Sequence, residues 1–278
     1  MIRRPFVFVA AAMLSILGSS ALADAYHSMT LTKTANPVIP SYPGTSLDIL
    51  GVKPGMSFDS TETALNAFYS KKPGANDNFG SRGSYKGIEL KSQDWEHSLS
   101  DEKSTDSTVD SIQVTFSAPT TGVTVVAVER DIRFKTEKSQ PTVQQILSAL
   151  DKKYGSESTP TRMKGSYIEY VNWLFGDKGH VNQIPKSLVL DNGALECQAQ
   201  FIENAALTYK NNVSSNEYFC VSARMLLSVN DTNRVKELHV TIASPIDMLI
   251  SAQAEPEQFQ AAGIAALNHE VPGTLPKL

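Results

Sequence analysis

Glu129 and Asp131 stand two residues apart in the run VVAVERDIRF. At that spacing a strand projects both carboxylates from one face. A pair of this kind can flank a glycosidic bond, one group protonated and the other ionised. It can equally be two charges on a solvent-facing strand, and the sequence does not choose. Ser100 and Lys103 have the S-x-x-K spacing of a lysine-activated serine, but they sit in the polar run SLSDEKSTDST without S-D-N or K-T-G partners. There is no G-x-S-x-G, and Gly80-Ser81-Arg82-Gly83 has the wrong spacing for a nucleophile elbow. His27, His97, His180, His239 and His269 are scattered without H-x-H or H-x-x-x-H spacing. Asp106, Asp110 and their neighbours do not match a calcium loop, which needs ligands at alternate positions around a central glycine. The expectation is no catalytic constellation, no metal site and no cofactor.

Gly51-Val52-Lys53-Pro54-Gly55 places a lysine among glycines. A phosphate loop needs the lysine after the last glycine, followed by serine or threonine. Here Lys53 precedes Gly55, and Pro54 removes a backbone donor. The stretch is instead the start of a helix-bearing unit. Asp59 with Glu62 fits a capping box, and Ala64, Leu65, Phe68 and Tyr69 recur at helical spacing until Pro73-Gly74.

The N-terminus reads as an export signal. Arg3 and Arg4 precede an apolar run from Phe6 to Leu17, and Ala21-Leu22-Ala23 is a small-x-small cleavage site, so cleavage is expected between Ala23 and Asp24. That run is too short to span a bilayer. No cysteine follows the signal to carry a lipid. Of 278 residues, 255 remain after cleavage, and the loss of Arg3 and Arg4 takes the net charge from −4 to −6. This mild acidity argues against nucleic acid or anionic lipid as partner, since both need clustered basic charge. The expected location is periplasmic or secreted. Cys197 and Cys220 are the only cysteines. In an oxidising compartment they are expected to pair, closing a loop worth roughly 3 kcal/mol in the chain-entropy model. Free buried thiols are the alternative.

Residues 24–46, with Pro37, Pro40 and Pro43, read as an extended arm. A glycine- and asparagine-rich loop is expected over 75–87, and a solvated loop between Lys91 and Asp110. Strands are expected around Ile112–Phe116 and Val123–Phe134, and a helix over Pro141–Tyr154, with Pro141 at its first position and Gly155 ending it. Further strands follow at Tyr167–Phe175, Ser187–Leu190, Leu195–Phe201, Tyr218–Val229 and Val235–Ile242. A third helix starts at Ser244-Pro245, and Glu255–Leu267 continues or restarts it. Helices separated by runs of strands give an α+β fold with antiparallel sheet. The order divides the mature chain into helix-plus-strands units at 47–138 and 139–278, or into one continuous sheet with helices on one face.

The strand Tyr167–Phe175 is apolar on both faces, as a buried central strand would be. Alternatively Tyr167, Trp173 and Phe175 form an aromatic face that anchors a protein partner. Phe79, Arg82 and Tyr85 in the glycine-rich stretch are the second group of contact candidates.

The run GVKPGMS before an amphipathic helix resembles the glycine-x-x-x-glycine-methionine-serine/threonine helix start of small bacterial envelope modules. Those are the outer-membrane assembly lipoproteins of the BamE type and the β-lactamase-inhibitor proteins. The resemblance covers about twenty residues of this chain. It implies helices against a curved antiparallel sheet, in tandem units for the inhibitors, and a function of binding another protein. The chain lacks the lipid-bearing cysteine of the assembly proteins, and its second helix has no glycine-methionine start. The expectation is therefore an exported, soluble, non-catalytic protein-binding module of the cell envelope. A small-ligand carrier or structural protein, and an envelope hydrolase with a dispersed site, are the alternatives.

Overall fold

A computed structural model describes residues 26–37, 46–69, 73–156, 159–162, 167–176, 179–181 and 219–270. The Ser187–Leu190 and Leu195–Phe201 strands expected from the sequence, Cys197 and the signal segment lie outside these residues. The elements in chain order are β1 (His27–Met29), α1 (Phe58–Tyr69), β2 (Gly74–Phe79), β3 (Arg82–Tyr85), β4 (Ile88–Ser92), β5 (Trp95–Ser104), β6 (Thr108–Phe116), β7 (Val125–Phe134), α2 (Val143–Tyr154), β8 (Thr159–Arg162), β9 (Ile168–Gly176), β10 (Gly179–His180), β11 (Phe219–Leu227), β12 (Val235–Ala243) and α3 (Pro245–Glu270). The fold is α+β, with a mostly antiparallel sheet.

Nine strands form one open sheet in the order β2-β5-β6-β7-β12-β11-β9, with β8 and β10 both on the outer edge of β9. The sheet is mirrored about the β7–β12 pair. On each side the last strand of a helix-then-strands run lies at the centre and the first at the rim. Each helix start is bonded to the last strand of its own half: Val125 N donates to Met56 O at 2.9 Å, and Val235 N donates to Pro141 O at 2.9 Å. The two half-sheets share one ladder, and α1 and α2 bury their stripes in one common core. Leu65, Tyr69, Val143, Leu147, Leu150 and Tyr154 pack there with Leu99, Val114, Val128, Val221, Trp173 and Ile242 from the strands.

Local chemistry corrects several expectations. The loops expected over 75–87 and 91–110 are the strands β2 to β5. In β5, Ser100, Glu102 and Ser104 alternate onto the open face, and Asp101 and Lys103 lie on the opposite side of the ladder. Helix α1 is capped by Ser57, whose Oγ accepts from Ser60 N, rather than by an Asp59–Glu62 box. Helix α2 starts at Val143, not Pro141. Thr142 caps it, with Gln145 bonding back to the Thr142 N–H at 2.8 Å. Gly155 ends it as expected, at φ 87°. Pro256 does not break α3, which runs 26 residues.

A second, three-stranded sheet has the order β1-β4-β3, with β1 parallel to β4. The expected arm thus contains a short strand. Helix α3 closes on this sheet through two glycine–aromatic fits. A Cβ on Gly83 would lie 2.9 Å from the Phe259 ring, and one on Gly263 would lie 2.6 Å from Tyr85 Cδ1. Leu31, Trp95 and Ala118 form the small core beneath. Val123, a β-branched residue held at φ 53°, touches both cores.

Candidate interaction surface

Alternation along the strands gives the large sheet two unlike faces. Val114, Val128, Leu238, Val221 and Trp173 point into the helix-covered core. Their neighbours point the other way, and the pairing register lines these up in rows across the sheet. One row is Asn172, Ser222, Thr241, Glu129, Gln113 and Ser100. The next is Tyr170, Arg224, His239, Asp131, Ser111 and Glu102. A third contains Glu237 and Arg133, joined by an ion pair at 3.2 Å.

Exposure increases from row to row. In the row nearest the start of α3, Leu174, Cys220, Ala243 and Ala127 are all buried. In the following row Asn172, Ser222 and Thr241 are still buried, and Ser222 Oγ donates to Asn172 Oδ1 at 2.7 Å. Further out, Arg224, Asp131, Glu102 and Arg133 are exposed. On the first-half side the face dips into a depression of about 460 Å³, lined among others by Gly74, Ser100, Glu102, Ser111, Gln113, Glu129 and Asp131.

His239 is the hub where the halves meet. Its Nδ1 lies 2.8 Å from Asp131 Oδ1, and its Nε2 lies 2.9 Å from Thr241 Oγ1. An ionised carboxylate only accepts, so Nδ1 carries the proton and, in the neutral ring, Nε2 accepts from the Thr241 hydroxyl. Burial alone would push Asp131 up. The hydrogen bond and charge of His239 outweigh it and hold the carboxyl below its usual range. Burial pushes Glu129 up, with His239 opposing and Asp131 adding to the rise. The two carboxyl groups are thus shifted in opposite directions by their surroundings.

The line Thr241–His239–Asp131 has the connectivity of nucleophile, base and orienting acid. Its hydroxyl is closed to substrate, because Thr241 is 1% exposed. Among the described residues no group of histidine, cysteine, aspartate and glutamate could hold a metal ion.

The contact candidates from the sequence scatter. Trp173 and Phe175 are fully buried in the helix-side core, which corrects their reading as surface anchors. Trp173 Nε1 donates to Gly155 O at 2.7 Å and its ring lies 5.6 Å from that of Tyr154, so the tryptophan closes the end of α2. Tyr167 is exposed, at the start of β9. Arg82 is exposed over the Tyr26 ring, and Tyr85 is half-buried against α3. Phe79 pairs through its backbone with Trp95, and its side chain lies outside what the structure describes. The residues that share the open face, Glu102, Gln113, Arg224 and His239 among them, were not singled out as a site. Their signal was present as polar residues at alternate positions of β5, β6, β11 and β12. No protein-family model, curated protein or solved structure matches the chain.

Proposed function

We propose that the chain is an exported, non-catalytic protein-binding module of the cell envelope, and that its partner docks on the outer rows of the uncovered sheet face. The observation that supports this reading is the exposure of Glu102, Asp131, Arg133 and Arg224 on β5, β7 and β11 of the large sheet, where they share one face. Charges of both signs on a rigid ladder select a partner by electrostatic complementarity, which sets specificity and encounter rate. The export signal and cleavage before Asp24 belong to the same proposal, as does a disulfide between Cys197 and the buried Cys220. Two titratable thiols in protein recovered from the oxidising compartment would refute that pairing.

Crosslinking of tagged chain in its native envelope tests the reading. One dominant partner is expected, lost in the double charge reversal Asp131→Arg/Arg224→Glu while far-UV circular dichroism stays native and the variant remains folded at the temperature of capture. Capture that is indifferent to the reversal moves the interface off this face and overturns the reading. A second reading, an envelope hydrolase acting on a glycan, draws on the oppositely directed pKa shifts of Glu129 and Asp131, which both line the depression. Release of reducing ends from a cell-wall glycan, abolished by Glu129→Gln, would establish it in place of the first.

A further inference from the structure

Residues 27–35 form a strand-like segment held by elements remote in sequence. His27, Ser28 and Met29 pair with Leu90, Lys91 and Ser92 of β4. Beyond β1 the ladder partner is replaced by side-chain amides. Gln93 Oε1 accepts from Leu31 N at 2.8 Å and its Nε2 donates to Leu31 O at 3.0 Å. Gln258 of α3 does the same to the next residue, accepting from Thr32 N and donating to Thr32 O, both at 2.8 Å. Thr34 N and Ala35 N then donate to Thr120 O. Leu31 is buried in a side-chain pocket against Trp95 and Ala118, with Met29 and Phe259 packed beside them.

This is the chemistry of a peptide receptor. Carboxamides that bond both backbone groups of one residue read an extended chain without regard to its side chains, and one apolar pocket supplies selectivity. The outer edge of β1 is open as well. It faces a space of about 640 Å³ bounded by His27, Met29, Thr32, Gln258 and the alanines of α3.

We infer that this groove is a receptor for an extended peptide, filled at rest by the chain's own arm, and that its competing occupant is the same arm of a second copy. Exchange keeps every contact named above, so its equilibrium depends on chain concentration against the local concentration of the tethered arm, about millimolar for a short tether.

The test is a rescue. Leu31→Asp in the full chain disables the resident arm and is expected to lower Tm by roughly 10 °C. A synthetic peptide of residues 26–36 with Leu31 intact should restore the melt in a saturable way, and the same peptide carrying Leu31→Asp should not. If Leu31→Asp abolishes folding, Thr32→Pro, which removes the backbone and hydroxyl donors to Gln258 Oε1, takes its place in the titration. A folded variant whose Tm no peptide raises would overturn the receptor. Sedimentation of the unmodified chain up to about 1 mM should then reveal a growing dimer fraction. Monomer alone throughout would overturn the exchange.

Discussion

The two halves of the large sheet are built alike and filled differently. Each begins with a 12-residue helix capped by a hydroxyl, Ser57 or Thr142, and ending in a tyrosine, Tyr69 or Tyr154. Each pins the start of its helix to its own last strand, so that Val125 of β7 corresponds to Val235 of β12. By that correspondence Arg130 matches Val240, and the two are also register partners, so a local two-fold axis passes between them. Under the end of α2 the sheet offers Trp173 and Val171. Under the end of α1 it offers an ion pair, with Arg130 Nε and Nη2 at 2.9 and 2.6 Å from the two oxygens of Asp110 and the guanidinium 5.4 Å from the Phe68 ring. On the open face the same axis sets Glu129 and Asp131 of one half against Thr241 and His239 of the other. A similar strand order and similar helix starts thus carry an apolar solution in one half and a charged one in the other. The polar site falls where they meet.

The largest expected effect breaks the apolar half. Trp173→Ala removes a fully buried ring and the bond to Gly155 O, and should cost about 3–5 kcal/mol in urea unfolding. A cost below about 1 kcal/mol would mean that α2 is not held by this residue.

Next comes the charged half. Arg130→Ala strands a partly buried Asp110 and should cost about 2 kcal/mol. Asp110→Ala/Arg130→Ala together should cost less than the sum of the single changes. Strict additivity in that cycle would show the ion pair to be energetically silent.

Smaller still is a pH effect at the seam. Asp131, lowered on folding, contributes stability that is present above its ordinary value of 3.8 and lost as pH falls through its folded value. Glu129 is raised, so its contribution is fully present below 4.5 and lost as pH rises through its folded value. Glu129→Gln should therefore melt progressively higher relative to the parent as pH increases from 4 to 7. Asp131→Asn should melt below the parent across that range, with the gap closing only as pH falls below 3.8. Parallel Tm profiles for parent and variants would deny the asymmetry. The smallest effect is on the exposed rim, where Gln113→Arg should stay within about 0.5 kcal/mol of the parent.

Much of the scaffold was legible in the sequence because hydrophobic period is a local property. The stripe of α2, the β11–β12 hairpin across Asn230–Asn233 and the α+β class all followed from spacing. Residues 95–104 were read as loop because a strand with one open face can be as polar as a loop. Glu102 and Ser100 supply that polarity and define the site. Both helix starts differ from expectation by two residues: Asp59 competes with the true cap Ser57 at α1, and Pro141 suits a first helical position that Val143 takes at α2.

By itself the sequence determined which segments could be apolar on one side and where chain direction must reverse, since both depend on neighbours within a few residues. Tertiary structure decided the rest. It turned Trp173 and Phe175 inward, because in β9 the odd-numbered face meets α2 rather than a partner. It also brought His239 to Asp131 across 108 residues, because the last strands of the two halves pair at the centre of the sheet. No local pattern encodes that pairing. It arises from the burial of two amphipathic helices in one core, which leaves the opposite face of the sheet to carry the charges.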